Sequence, residues 1–137
     1  AAEGRASCRK VVNVSSVSGT TGSATQIAYA TGKAAVIGLT KTLAKEWGRY
    51  NVTVNAVAFG HIETRLTQVY DELPPAIDVM GRKHKVGLAS SQIKAMEKAV
   101  PLGRPGTVDE AAGAIYLLCT SDADYITGEV LTCSGGA

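Results

Sequence analysis

The sequence predicts an α/β fold in which a three-stranded parallel sheet packs against flanking helices, and three observations carry that expectation. Short apolar runs at Lys10 to Ser15, Asn51 to Ala58 and Glu129 to Cys133 have the length and β-branched content of buried strands. Between the first two lies an uninterrupted run from about Gln26 to Arg49, in which Ile27, Ala34, Ile37, Leu43 and Trp47 fall near helical spacing. The alternation of strand, long helix, strand, helix and strand requires right-handed crossovers, and therefore a parallel sheet.

Each element has its own local warrant. The Ser-, Gly- and Thr-rich stretch from Ser16 to Thr25 reads as a loop after the first strand. In the long helix, Gly32 and Gly38 each cost about 1 kcal/mol relative to alanine, which predicts a close approach by a neighbouring element. Phe59-Gly60 ends the second strand. Residues 61–100 are less regular, with a short helix expected after Thr64, a break at Pro74-Pro75, a hairpin around Met80-Gly81 and an amphipathic stretch from Ser90 to Ala99. A connection of this length is usually functional, so residues 65–100 are expected to form a lid over a substrate cleft. Thr107-Val108-Asp109-Glu110 is a capping box, and a helix to about Cys119 follows it. Thr127-Gly128 turns the chain into the third strand.

Composition narrows the function classes. The 137 residues suit one domain, and 45% hydrophobic with 19% charged residues describe a globular chain in water. A formal net charge of +2 is too small to imply nucleic acid, and no apolar run approaches the ~20 residues that span a bilayer. Cys8, Cys119 and Cys133 are widely spaced, so reduced thiols and a cytoplasmic location are expected, with no metal site. The polar start, Ala-Ala-Glu-Gly-Arg, has no signal pattern and reads as the interior of a longer polypeptide.

The chemistry concentrates in Ser16 and in Tyr29-Ala-Thr-Gly-Lys33. Tyr29 and Lys33 are four apart on a predicted helix and leave one face a turn apart. An ammonium beside a phenol favours the phenolate, which suits the phenol to exchanging a proton with a carbonyl or alcohol oxygen. Ser16, at the end of the preceding strand, is placed to hydrogen-bond the same oxygen. A Tyr-x-x-x-Lys spacing is by itself equally the mark of a solvated helix face.

The company these residues keep carries more weight. Asn13-Val-Ser-Ser16, Tyr29-Ala-Thr-Gly-Lys33, Val54-Asn-Ala-Val-Ala-Phe-Gly60-His-Ile-Glu-Thr64, Pro101-Leu-Gly-Arg-Pro-Gly106 and Tyr125-Ile-Thr-Gly128 stand in an order that resembles the short-chain dehydrogenases/reductases. Within that family the chain is most similar to the 3-oxoacyl-[acyl-carrier-protein] reductase type. The resemblance spans about residues 10 to 136. It implies the C-terminal half of a Rossmann-type doubly wound parallel sheet, with residues 1–137 a partial NAD(P)-binding domain.

By that resemblance Ser16, Tyr29 and Lys33 are catalytic, and Tyr29, Lys33, Gly60, Ile62 and Thr64 bind the nicotinamide end of NADP or NAD. The implied reaction interconverts a ketone and a secondary alcohol, with a 3-oxoacyl thioester as leading substrate and acyl carrier protein as a partner. The alternatives are a ketone, steroid or sugar-alcohol dehydrogenase of the same family, or a truncated chain that acts only in assembly. A homo-oligomer, dimer or tetramer, is also implied.

Phe59 stands where the family usually has proline, which is expected to loosen the turn after it. Gly32 and Cys133-Ser134 also depart from the usual residues. The Gly-rich dinucleotide-binding turn and the residue that selects the adenosine have no counterpart here, since Gly19-Thr-Thr-Gly22 lacks the third glycine and the spacing. Arg82-Lys83-His84-Lys85 reads as a solvated hairpin tip more readily than as a contact for an acidic carrier protein. His61 is placed to line the substrate pocket, and His84 has no expected chemistry.

Overall fold

β1 (Arg9–Ser16) and β2 (Val52–Phe59) lie parallel in the computed structural model, in register from Arg9 opposite Val52 to Ser16 opposite Phe59. The structure describes residues 7–64, 67, 76–85 and 90–137. A short helix α1 (Val17–Thr21) and the long α2 (Ile27–Trp47) connect the two strands. β5 (Val130–Cys133) pairs parallel to the other side of β2, with Phe59 opposite Cys133, giving the sheet order β1-β2-β5. A separate antiparallel hairpin, β3 (Ala76–Val79) and β4 (Arg82–Lys85), turns at Met80-Gly81, where both residues have positive φ. α3 (Ser90–Ala99) and α4 (Val108–Cys119) precede β5.

The central strand is the best buried, as its apolar sequence requires: Val54, Ala56, Val57 and Ala58 are inaccessible to solvent. On one face of the sheet, α2 is held to β1 by side-chain hydrogen bonds. Asn13 Nδ2 donates to Thr40 Oγ1 at 2.9 Å, and Ser15 Oγ donates to the Lys33 carbonyl at 2.9 Å. On the other face, Ala114 and Leu118 of α4 pack on Val57, with Val12, Phe59, Ile115 and Cys133 around them. Buried Asn55 ties β2 to the loop before β5, donating to the Ile126 carbonyl at 2.8 Å and accepting from Glu129 N–H at 3.0 Å. No helix among the described residues is long and apolar enough to cross a membrane.

Three expectations need correction. Residues 17–21 form a helical turn rather than loop, because the Ser16 side chain caps them. Nothing lies within 4 Å of where a Cβ would stand at Gly32 or Gly38, so neither answers to a close neighbour among the described residues. The close approach to α2 comes from Gly19, where a Cβ would sit 2.7 Å from the Lys33 backbone carbon and 2.8 Å from Lys33 Cβ. Phe59, finally, anchors its turn: it is the last rung of β2, and it packs on the α4 cluster. The short helix expected after Thr64, the break at Pro74-Pro75 and residues 65–66, 68–75 and 86–89 of the lid segment lie outside the described residues.

Candidate active site

Ser16 stands where β1 ends, and its side chain is buried. Its Oγ accepts the Ser18 N–H at 3.2 Å, an N-cap bond that fixes the hydroxyl and leaves its proton free to donate. Tyr29 lies one turn into α2, 49% exposed, and its hydroxyl makes no hydrogen bond among the described residues. Lys33 Nζ is 5.7 Å from the centre of the Tyr29 ring, so the pair shares a face as the four-residue spacing predicts.

Lys33 is also pinned to β1. Its Nζ donates to the Val14 carbonyl at 3.1 Å, and its own carbonyl accepts from Ser15. Arg9 N–H pairs with the Asn51 carbonyl across to β2, so by strand alternation Val14 and Ser16 turn their backbone groups to the open edge of β1. The ammonium therefore occupies an unpaired edge carbonyl two residues before Ser16 and keeps two N–H donors free. Tyr29 and Lys33 are thus brought together, and Lys33 is brought to the strand that ends in Ser16.

The Gly60 turn leaves β2 one residue past the rung that pairs Phe59 with Ser16. Gly60 N–H donates to the Cys133 carbonyl at 3.0 Å, and a Cβ at Gly60 would stand 2.7 Å from Ser134 Cβ, so no larger residue fits. Ile62 forms an isolated parallel bridge with Gly106. The Thr67 hydroxyl accepts Thr64 N–H at 2.8 Å and lies 3.1 Å from both the Ile62 and Thr64 carbonyls, closing the turn that carries both expected cofactor contacts. His61 lines a cavity of about 150 Å³ with Ile62, Leu102, Arg104, Ser134 and Gly135, and its Nδ1 is buried without a hydrogen-bond partner among the described residues. Among the described residues no group of three His, Cys, Asp or Glu side chains is arranged to hold a metal ion. The exposed Arg82 and Lys83 lie on the hairpin; the side chains of His84 and Lys85 lie outside the described residues.

Sequence reasoning passed over Ser15, Gly19 and Thr67. Ser15 carried a signal, being a hydroxyl inside an apolar strand, whereas nothing local marks Gly19 or Thr67.

The sequence as a whole is similar to known proteins. The profile described as short chain dehydrogenase covers residues 5–73, and that described as Enoyl-(Acyl carrier protein) reductase covers residues 80–137. The chain belongs to the short-chain dehydrogenase family. It is 43% identical over 127 residues to the 3-oxoacyl-[acyl-carrier-protein] reductase FabG of Aquifex aeolicus, covering 93% of this chain and 44% of that protein. It is 40% identical over 127 residues to the protein of the same name from Vibrio harveyi, covering 93% of this chain and 45% of that one. A crystal structure of a short chain dehydrogenase from Bacillus anthracis superposes with a TM-score of 0.72 at 35% identity, over 93% of this chain and 43% of the other. The chain therefore spans less than half the length of the relatives it matches.

Proposed function

We propose that this chain is the catalytic half of an NAD(P)-linked reductase that interconverts a ketone and a secondary alcohol, with a 3-oxoacyl thioester carried by acyl carrier protein as its substrate, in the cytoplasm. The observation that carries the reading is Lys33, which faces the Tyr29 ring and is pinned to the strand ending in Ser16. The thioester substrate is supported by the printed names of the Aquifex and Vibrio relatives.

The donor set fits the nicotinamide end of a dinucleotide: two free ammonium N–H groups on Lys33 and the bridged backbone of residues 62–64. A Gly-rich phosphate turn is absent from the sequence, and the described residues offer no cradle for the pyrophosphate. When bound, the cofactor supplies or accepts a hydride at the substrate carbon. The chain's own residues manage the oxygen. Ser16, fixed by the Ser18 N–H, donates its hydroxyl proton in a hydrogen bond that holds the substrate oxygen. Tyr29 gives its phenolic proton to that oxygen as hydride reaches carbon, and takes a proton back in the oxidative direction. Lys33 stabilises the phenolate left behind.

Tyr29→Phe tests the reading, because a phenyl ring fills the same exposed space and lacks only the proton. In the full natural polypeptide, NADPH-dependent reduction of an acetoacetyl thioester is expected to fall by at least about a hundredfold, the usual scale of general acid catalysis. Reduction near the wild-type rate in the folded variant rules out the role. Reduction of simple ketones in preference to the thioester assigns the protein to another dehydrogenase of the family.

A further inference from the structure

The segment from Arg104 to Glu110 holds a brace that the proposed reaction does not by itself require. Arg104 meets the Glu110 carboxylate with both prongs of its guanidinium, Nη2 to Oε1 at 2.6 Å and Nη1 to Oε2 at 2.8 Å. Arg104 Nη1 also donates to the Pro105 carbonyl at 3.0 Å, while Glu110 Oε2 accepts Thr107 N–H at 2.8 Å. The carboxylate and its arginine therefore fix the backbone immediately before and immediately after Gly106.

Gly106 is the residue that grips the turn after β2. Its N–H donates to the His61 carbonyl at 3.0 Å, and its carbonyl accepts Glu63 N–H at 2.8 Å, one rung on either side of Ile62. A Cβ there would stand 2.7 Å from Ile62 Cδ1, so the Ile62 side chain lies directly over the glycine. Both partners of the ion pair are about half exposed, at 53% and 47%, and exposed pairs contribute little to stability. A two-pronged pair instead fixes geometry, and here the geometry it fixes is that of residues 61–63.

Resting on the reductase reading above, we infer that Glu110, acting through Arg104 and Gly106, is a positioning residue that sets Ile62 and Thr64 for the nicotinamide end of the cofactor. It touches neither substrate nor cofactor. Its effect reaches the nicotinamide end through the 61–64 turn alone, because Gly106 bonds residues 61 and 63.

The test compares wild type with Glu110→Gln, which keeps the shape and an acceptor for Thr107 N–H while removing the charge, and with Arg104→Lys, which keeps the charge but loses the fork. Amide hydrogen exchange is followed at Glu63 and Gly106, with Ala56 in β2 as internal control. In the full natural polypeptide, binding of NADPH and NADH is compared with that of 2′-phospho-ADP-ribose and ADP-ribose, which lack nicotinamide. Both variants are expected to speed exchange at Glu63 and Gly106 but not at Ala56, and to weaken the nicotinamide nucleotides about fivefold, within the usual scale of coupling. The nicotinamide-free ligands are expected to be unaffected. Equal weakening of both ligand types, or unchanged exchange at Glu63 and Gly106, overturns the inference while leaving the reductase reading intact. Failure of wild type to bind any of the four ligands overturns the reductase reading, and this inference with it.

Discussion

Lys33 is held from three directions, and two of the holds make separate predictions. Ser15 donates to its carbonyl, Val14 accepts from its ammonium, and Gly19 lets α1 approach its backbone to within contact. Ser15→Ala removes one buried hydrogen bond and is expected to lower stability by about 1 kcal/mol in urea unfolding. Gly19→Ala is more severe, because the atoms it meets at 2.7 to 2.9 Å are Lys33 and Ala34 backbone and Lys33 Cβ, none of them a flexible tip. A loss of about 1–3 kcal/mol is expected, the scale of overpacking. A gain in stability from Gly19→Ala would show that α1 and α2 are further apart than described. The four-residue spacing was enough to put Tyr29 and Lys33 on one helix face, while their choice as a site with Ser16 came from the motifs around them rather than from spacing. The holds on Lys33 were not legible in sequence, since they depend on the distance between α1 and α2, which no local pattern encodes.

At the scale of elements, α4 is the best specified, and its N-terminal cap carries a carboxylate that responds to acid. Its capping box was readable in sequence, with Thr107 Oγ1 accepting Glu110 N–H at 3.1 Å and Glu110 returning the bond. The hydrogen bond from Arg104, then that from Thr107 N–H, hold the Glu110 carboxyl down to about 2 from an ordinary 4.5. A folded-state value below the unfolded one stabilises the fold above the unfolded value and stops doing so as pH falls through the folded one. The contribution is thus full above about 4.5 and lost progressively toward about 2. Wild type is expected to lose stability relative to Glu110→Gln across that window, a comparison that cancels the other carboxylates. A pH-independent difference between the two proteins would contradict the linkage, and added salt is expected to shrink the difference because the pair is exposed. Strand and helix bounds fell within a residue or two of the pattern, although in α2 Ile27, Ala34 and Trp47 are exposed and the buried positions are Thr40 and Ala44. α1 escaped because five residues are too few to show a period, and only its serine cap announced it.

The whole molecule has unfinished surfaces. The outer side of β1 carries a row of backbone groups, of which the Val14 carbonyl is met by Lys33. Ile27 on α2 is 84% exposed, and Tyr116 and Leu117 of α4 are 70% and 62% exposed. Large apolar side chains left open on both faces of the sheet fit contact with further protein. In the reductase reading this surface has two claimants: nucleotide-binding structure along the β1 edge, and a second copy across α4 and β5, pairing each element with its symmetry mate. The 137-residue chain taken alone is therefore expected to sediment as more than a monomer at high concentration, since the α4 and β5 faces are intact in it. It is also expected to give no saturable heat when titrated with NADH or NADPH, since the nicotinamide end alone offers a few donors and no phosphate cradle. The two results separate the claimants. A monomer under all conditions assigns the α4 face elsewhere, and micromolar binding by the lone chain shows that the described residues grip the dinucleotide through contacts other than those at Lys33 and the Gly60 turn.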